Sequence, residues 1–526
     1  MTGPGDTTRT TIARGAQRAG GWRALTPGAG EPPAHGPAGK AEVLACLWHL
    51  SDLHLCDAQS PARLEYLDRY SDPDSPYREA LGDIGTYRPQ EVLTVQVAAT
   101  MISTVGQWSI GPTSGAPIEA ALLTGDLTDN AQDNELSWYQ ALIDGGTVSP
   151  ASGDPRRSSW VGAQGTGTWD ERYWHPDGPP AGVDEDRPTR LFGYPTIPGL
   201  VDAALADVTS PGLAVPSISV HGNHDGLLQG TVVPDAALHA LALGGQRIVG
   251  LPLGADPMLT SEAISMVGPA RYVHDETSPR VPITPDTGRS FVSAEQFAQR
   301  LRGPQAGPAY FVHDLDRVRV VCLDTVNPHG GWQGSLDQEQ YQWLARVLEE
   351  SADRYVVIAS HHPSPTMINP FAPPGTAPRV LGDEVVALLL ASRSVVAWIA
   401  GHVHFHAAQY RGDARRGFWE ITTSSLVDWP QQVRLLELLR VDDGAGPQIA
   451  LVSTVVDHAS PVGGGRRDDD LADAAVLAGI SRELAANDYR LRGRPLRGLH
   501  LDSSPAVRNT TWRSPDPLAR SSARGG

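Results

Sequence analysis

Val43-Leu44-Ala45-Cys46-Leu47-Trp48 runs without a polar side chain, and two residues later the chain reads Ser51-Asp52-Leu53-His54. A short continuous apolar run that ends in polar residues is the pattern of a strand buried on both faces. Four more runs follow it. Residues 120–123 lead to Gly125-Asp126-Leu127-Thr128-Asp129, and 218–220 lead to His221-Gly222-Asn223-His224-Asp225. Residues 355–359 lead to Ser360-His361-His362-Pro363, and 395–399 to Gly401-His402-Val403-His404. Ligands of open α/β sheets bind beyond the carboxyl ends of the strands, so five strands deliver Asp, His or Asn to one edge.

Between these runs the spacing predicts helices over 90–108, where Val92, Val95, Ala99 and Ile102 recur at helical intervals, over 134–143 and over 383–391. Ser335 followed by Gln338 reads as a capping box opening a helix through Leu348. Residues 310–312 and 318–323 are spaced like a hairpin, and 405–410, 419–423 and 449–456 are further strands. Strands alternating with helices predict an α/β fold whose later strands turn antiparallel. Residues 1–40 read as a flexible tail and 41–460 as one domain with loop insertions at 144–216 and 226–308. Residues 461–526 read as an extension with one helix near 471–484, the rest partly disordered.

Composition narrows the function classes. Among 526 residues, 42 Lys+Arg stand against 60 Asp+Glu, a formal charge of −18. Such a chain repels a polynucleotide backbone, so nucleic acid is not an expected partner. No run of about 18 apolar residues exists to span a membrane. With 3 cysteines there is no disulfide framework, and without an export signal in the first 40 residues the expected location is cytoplasmic. Nothing in the sequence sets an oligomeric state.

The strand-end residues have a chemistry in common. Asp52 and His54, like His402 and His404, are two apart; in extended chain both side chains of a pair face one side, about 6.6 Å apart. That span suits two ligands converging on one cation, or on two cations about 3.5–4 Å apart. Asp126 is of the type that bridges a cation pair. Asp, His and Asn without thiolate favour Mn, Fe, Zn or Co.

Asp52-x-His54, Gly125-Asp126-x-x-Asp129, Gly222-Asn223-His224-Asp225, His361-His362-Pro363 and Gly401-His402-x-His404 together resemble the calcineurin-like metallophosphoesterase superfamily, which includes purple acid phosphatases and cyclic-nucleotide phosphodiesterases. The resemblance covers mainly the core between Val43 and Val456. It implies two packed mixed β-sheets flanked by helices, a four-layer α/β/β/α fold. It also implies one metal held by Asp52, His54, Asp126 and His404, and a second by Asp126, Asn223, His361 and His402. His224 takes the family's place beside the phosphate, as general acid or stabiliser of the leaving group, with Asp225 orienting its imidazole. The implied reaction is hydrolysis of a small phosphomonoester or phosphodiester by a metal-bound hydroxide. The alternatives are a phosphodiesterase specific for cyclic nucleotides or glycerophosphodiesters, and a non-catalytic binding module on the same fold.

Several residues have two readings. Asp129 is a support for a ligand or a charge at a helix N-terminus. His362 and His406 are supporting or structural. Asp57, Asn327 and His329 lie in loops able to reach the site, and Trp332 either stacks on a base or packs. Asp428 comes after a late strand and either reaches the cleft or opens a helix with Pro430 near its start. Trp160, Trp169 and Trp174 line an entrance or anchor a long loop.

Overall fold

The computed structural model describes residues 3–36, 39–72, 74–81, 87–154, 169–258, 275–442, 444, 446–463, 470–489 and 504–519. Eighteen strands lie among them. The chain opens with a hairpin of β1 (Thr10–Gln17) and β2 (Arg23–Ala29), and the apolar run 43–48 sits inside β3 (Lys40–Leu50). Next come β4 (Ala120–Leu123), β5 (Gly146–Val148), β6 (Val208–Ser210), β7 (Ser217–Ser219), β8 (Gln246–Ile248) and β9 (Arg280–Pro282). After these lie β10 (Phe311–Asp314), β11 (Val318–Cys322), β12 (Tyr355–Ala359), β13 (Val395–Ala400), β14 (Ala407–Gly412) and β15 (Gly417–Thr422). The last are β16 (Gln432–Asp442), β17 (Pro447–Asp457) and β18 (Thr510–Pro515).

Two six-stranded sheets carry the fold, in the orders β18-β17-β16-β3-β4-β7 and β10-β11-β12-β13-β15-β14. Both are mixed. In the first, β3, β4 and β7 run parallel while β16, β17 and β18 are antiparallel; in the second, β11, β12, β13 and β15 are parallel and β10 and β14 are antiparallel edges. Alternation along the strands makes the layers. Leu47 of β3 meets Val320, Val357 and Ile399 between the sheets, whereas Cys46, Trp48 and Leu50 face the helices Thr94–Val105 and Asp133–Asp144. On the far side, Val321, Ile358 and Trp398 pack under the helices Gln338–Glu350 and Gly382–Ala391. Strands buried on both faces have to read as continuous apolar runs, which is why the central ones were visible in sequence.

The structure departs from the sequence reading at both ends. Residues 1–40, expected as a flexible tail, hold the β1–β2 hairpin, and Thr7 Oγ1 donates to Val455 O at 2.7 Å. Trp22 Nε1 and Leu25 N donate to Glu483 of the helix Ala474–Ala486, the helix expected near 471–484. Past it, β18 adds an outer strand to β17. The hairpin and β18 were missed because their strands alternate weakly and are polar, with register set by tertiary contacts. The helix at 338 is capped by Asp337, whose carboxylate accepts from Gln340 N at 2.7 Å; Ser335 instead accepts from Arg379. Trp174 is buried and donates to Pro195 O, so it anchors its loop, and Trp169 stacks on His175. Trp160 lies outside the described residues.

Trp512 of β18 packs between the sheets, with the Arg434 guanidinium 5.4 Å above its ring. Trp512→Ala is expected to lower stability by about 3–5 kcal/mol, read as a fall in the urea midpoint. A midpoint equal to the parent's would show that β18 is an ornament.

Candidate metal centre

The strand ends do not continue as extended chain. Asp52, His54, Asp126, His402 and His404 all have positive φ, at 55°, 46°, 51°, 69° and 61°. Left-handed backbone costs a residue with a side chain about 1–2 kcal/mol, and such residues gather where surrounding structure over-determines them. The extended two-apart geometry expected for Asp52/His54 and His402/His404 is thereby corrected: each pair curls over the sheet edge. Hydrogen bonds between loops hold the curl. Asp52 N and His54 N donate to Gly125 O and Asp126 O at 3.0 and 2.9 Å, and Gly401 N donates to His361 O at 2.9 Å. His402 N donates to the Asp52 carboxylate at 3.1 Å. Glycine is required at 401 by crowding, since a Cβ there would lie 1.9 Å from Ser51 Oγ and 2.7 Å from Asp52 Oδ2.

These loops bring six side chains together. His404 Nε2 lies 3.3 Å from Asp52 Oδ1 and 3.3 Å from His54 Nε2, which is 3.6 Å from Asp126 Oδ2. The same Asp126 oxygen is 3.2 Å from His361 Nε2, which in turn is 3.2 Å from His402 Nδ1. Asn223 Nδ2 donates to Gly230 O at 3.0 Å, and its Oδ1 is buried without a partner. Donor atoms held about 2.1 Å from one cation stand about 3–3.5 Å from each other. Ring nitrogens facing each other at such distances, beside an orphaned amide oxygen, are groups that a cation satisfies and a neutral interior does not. Asp52, His54, Asp126 and His404 offer ligand atoms within 4.8 Å of one another and fit one cation, and His361 and His402 beside the shared Asp126 leave donors for a second.

Most of the imidazoles are gripped from behind as well. His54 Nδ1 meets Asp129 Oδ1 at 3.0 Å, and Asp129 is in turn paired to the buried Arg63. His404 Nδ1 meets Asp428 Oδ2 at 2.7 Å, and Arg88 clasps Asp428 through Nε and Nη2 at 2.8 and 3.2 Å. His361 Nδ1 faces Thr124 O at 2.8 Å. Burial opposes ionisation of Asp129 and Asp428, but Arg63 and Arg88 outweigh it and hold both carboxyls well below the usual range. Asp129 thus backs His54, and Asp428 backs His404. The helix expected to open at Asp428 is corrected: the chain passes through Pro430 directly into the strand β16. Arg63 and Arg88 were missed in sequence, where each is one arginine in an irregular loop.

His224 stands beside the cluster, 13% exposed, and its Nδ1 lies 2.9 Å from Asp129 O and 3.4 Å from Asp129 Oδ1. Asp225 does not orient it: that carboxylate accepts from the backbone N–H of Gly222, Leu127 and Thr128, each at 2.9 Å, tying two loops together. His362 has both ring nitrogens occupied, by Thr325 Oγ1 at 2.8 Å and Trp332 O at 3.1 Å, and burial pushes it down to about 3. His406 belongs to a buried network with Arg434 and Gln432. Asp57 accepts from Ser152 Oγ and Asn134 Nδ2, Asn327 Nδ2 donates to Phe371 O, and His329 packs by Phe371; these three shape loops outside the cluster.

Residues 196–406 match the family described as calcineurin-like phosphoesterase. The resemblance to that family is thereby borne out. The matched segment contains Asn223, His224, His361, His402 and His404, while Asp52, His54 and Asp126 lie before it and are joined to it by the fold. Over 98 residues the chain is 32% identical to a probable cyclic nucleotide phosphodiesterase of Rhodococcus erythropolis, an overlap of 19% of this chain and 31% of that protein. The chain thus aligns with about a third of that relative's length. A dimetal phosphatase from Danio rerio superposes with a TM-score of 0.31 at 13% identity, covering 79% of this chain and 100% of that one. A calcineurin-like phosphoesterase from Bacillus subtilis gives 0.28 at 12%, covering 85% and 99%.

In the metal-free protein burial opposes protonation of His361 and His404, but Asp126 pushes the first up to about 9, and Asp52 with Asp428 pushes the second to about 10. Both are protonated at neutral pH, and a cation taking their Nε2 atoms displaces those protons. Apparent Mn²⁺ affinity is therefore expected to fall as pH is lowered from about 8 to 6, by up to about tenfold per pH unit for each displaced proton. Calorimetry in buffers of different ionisation enthalpy counts the protons released. Affinity independent of pH would contradict the arrangement.

Proposed function

We propose that the protein is a dinuclear metal-dependent phosphoesterase acting on small phosphomonoesters or phosphodiesters. The observation that carries this is Asp126 Oδ2, shared between the His54 and His361 sides of the cluster at 3.6 and 3.2 Å, with Asn223 Oδ1 left unpartnered. The donors are imidazole nitrogens and carboxylate or amide oxygens, a set suited to Mn, Fe, Zn or Co. Two bound cations supply positive charge that polarises a phosphoryl oxygen and acidifies water.

The chain's own residues supply position and protons. His224 Nδ1 is held by the carbonyl of Asp129, so Nε2 is the nitrogen free to exchange a proton. Burial opposes its protonation, but the carboxylates of Asp126 and Asp129 raise its pKa above the ordinary histidine value. A protonated imidazole at the rim is the form that donates to a departing ester oxygen. Its backbone N–H donates to Asp126 Oδ1 at 2.8 Å, locking the acid to the shared carboxylate.

A second reading, a phosphodiesterase for cyclic nucleotides, draws support from the name of the Rhodococcus relative. No described helix is long and apolar enough to cross a membrane, and three buried free thiols suit the cytoplasmic setting included in this proposal.

The test combines metal content with turnover of p-nitrophenyl phosphate and bis(p-nitrophenyl) phosphate in Mn²⁺. Asp126→Ala and Asn223→Ala should lose metal and activity together. His224→Ala should keep its metal and slow by about 10²–10⁴-fold. Equal activity in all three variants would sink the assignment, and the preferred ester separates phosphatase from phosphodiesterase.

A further inference from the structure

We propose that Trp332 is a stacking platform at the mouth of this centre, and that the preferred esters carry a planar aromatic group, a nucleobase or an aryl ring. The inference rests on the phosphoesterase reading and names its substrate class. Among the described tryptophans Trp332 alone is exposed, at 55%. Packing, the commoner role for tryptophan, is therefore not what it does here.

The indole is nonetheless held in place. Its ring lies 5.9 Å from that of His402, stacked with 24° between the planes. Its carbonyl is fixed by His362 Nε2 at 3.1 Å, and His362 is itself fixed by Thr325 and packs 4.3 Å from His402. On either side, Gly331 N donates to Thr231 O at 2.9 Å, Asn369 Nδ2 donates to Gly330 O at 2.9 Å, and Gly334 N donates to Thr366 O at 3.0 Å. The φ angles of Gly330 and Gly331, 100° and 85°, make the bend that turns Trp332 toward His402. An aromatic ring held this firmly while open to solvent is pre-organised for a flat partner.

Position defines the partner. His402 is one of the side chains assigned to the second cation, so the indole borders the place where that cation's phosphate would be held. The ring that meets it is carried on the ester oxygen directly in an aryl ester and through the ribose in a nucleotide. The nearby surface is apolar too: Ile368 is 57% exposed and Val233 40% exposed, with Val233 packed against the Gly330 turn. A glycerol moiety gains little from such a surface, whereas a base or aryl ring gains a π-face contact.

The experiment uses the full chain loaded with Mn²⁺, as parent, Trp332→Ala and Trp332→Phe, with metal content confirmed equal. Calorimetry compares adenosine monophosphate with ribose 5-phosphate. The Ala variant should bind the nucleotide about tenfold more weakly and leave the sugar phosphate unchanged, and the Phe variant should recover most of the loss. Equal losses for both ligands, or none for the nucleotide, would overturn the platform. Hydrolysis of bis(p-nitrophenyl) phosphate by the parent reads the other premise separately. Stacking without turnover of any ester overturns the phosphoesterase reading alone; turnover whose KM for the aryl ester is indifferent to Trp332→Ala overturns the platform alone.

Discussion

Ring nitrogens face each other at the edge of the two sheets. His54 and His404 aim Nε2 atoms at one another across 3.3 Å, His361 Nε2 and His402 Nδ1 do the same across 3.2 Å, and Asp126 lies against both pairs. Such an arrangement is self-repelling unless protons or cations lie between the donors, so it persists only because the scaffold imposes it. The left-handed turns at the strand ends and the exchange of backbone hydrogen bonds between neighbouring loops are the means. Each turn is anchored by a central strand buried on both faces, and rigid elements are where a precise cluster has to be mounted.

Behind the cluster the charges are arranged in relays. Arg63 contacts Asp129, and is also 2.8 Å from Glu91 and 3.9 Å from Glu65, which pairs with Arg247. Arg88 does for Asp428 and His404 what Arg63 does for Asp129 and His54. A buried ion pair is weak as a source of stability, because desolvation cancels most of its attraction. Its value here is geometric: a carboxylate fixed by a guanidinium presents its other oxygen to the imidazole in one orientation, which fixes the tautomer and aims Nε2 forward. The two relays back only the first set of donors. On the second side His361 leans on a neutral carbonyl, Thr124 O, so the two halves are electronically unlike.

The central strands and the six side chains that meet at their ends, Asp52, His54, Asp126, His361, His402 and His404, were legible in sequence, because a strand buried on both faces cannot hide its apolar run and the polar residues come directly after it. Other features left no such mark. Asp225 stands next to His224 in sequence, which invites the idea that it orients the ring, yet the turn directs its carboxylate at three backbone amides, and Asp129 from another strand end takes that role. Arg63 and Arg88 gain their partners only when loops far apart in the chain close over one another. β16 was overlooked although Val433, Leu435, Leu436, Leu438 and Leu439 are apolar, since Trp429-Pro430 drew the reading toward a helix start. Trp332 was ambiguous because exposure is not a property of sequence.

The placement of charge sets what each part of the centre can recognise. The protein carries a formal −18, and around the centre the carboxylates of Asp52, Asp126, Asp129 and Asp428 outnumber the guanidinium groups of Arg63 and Arg88. Both arginines are turned backward into carboxylates, and neither offers a free fork to an incoming phosphate. On the proposed phosphoesterase reading, the attraction for the anion therefore comes from the cations, and it is local and focused within the cleft. Charge consequently recognises the phosphate alone and is indifferent to what the phosphate carries. Discrimination among esters falls to uncharged surface at the rim, and that is where the structure holds an indole open to solvent.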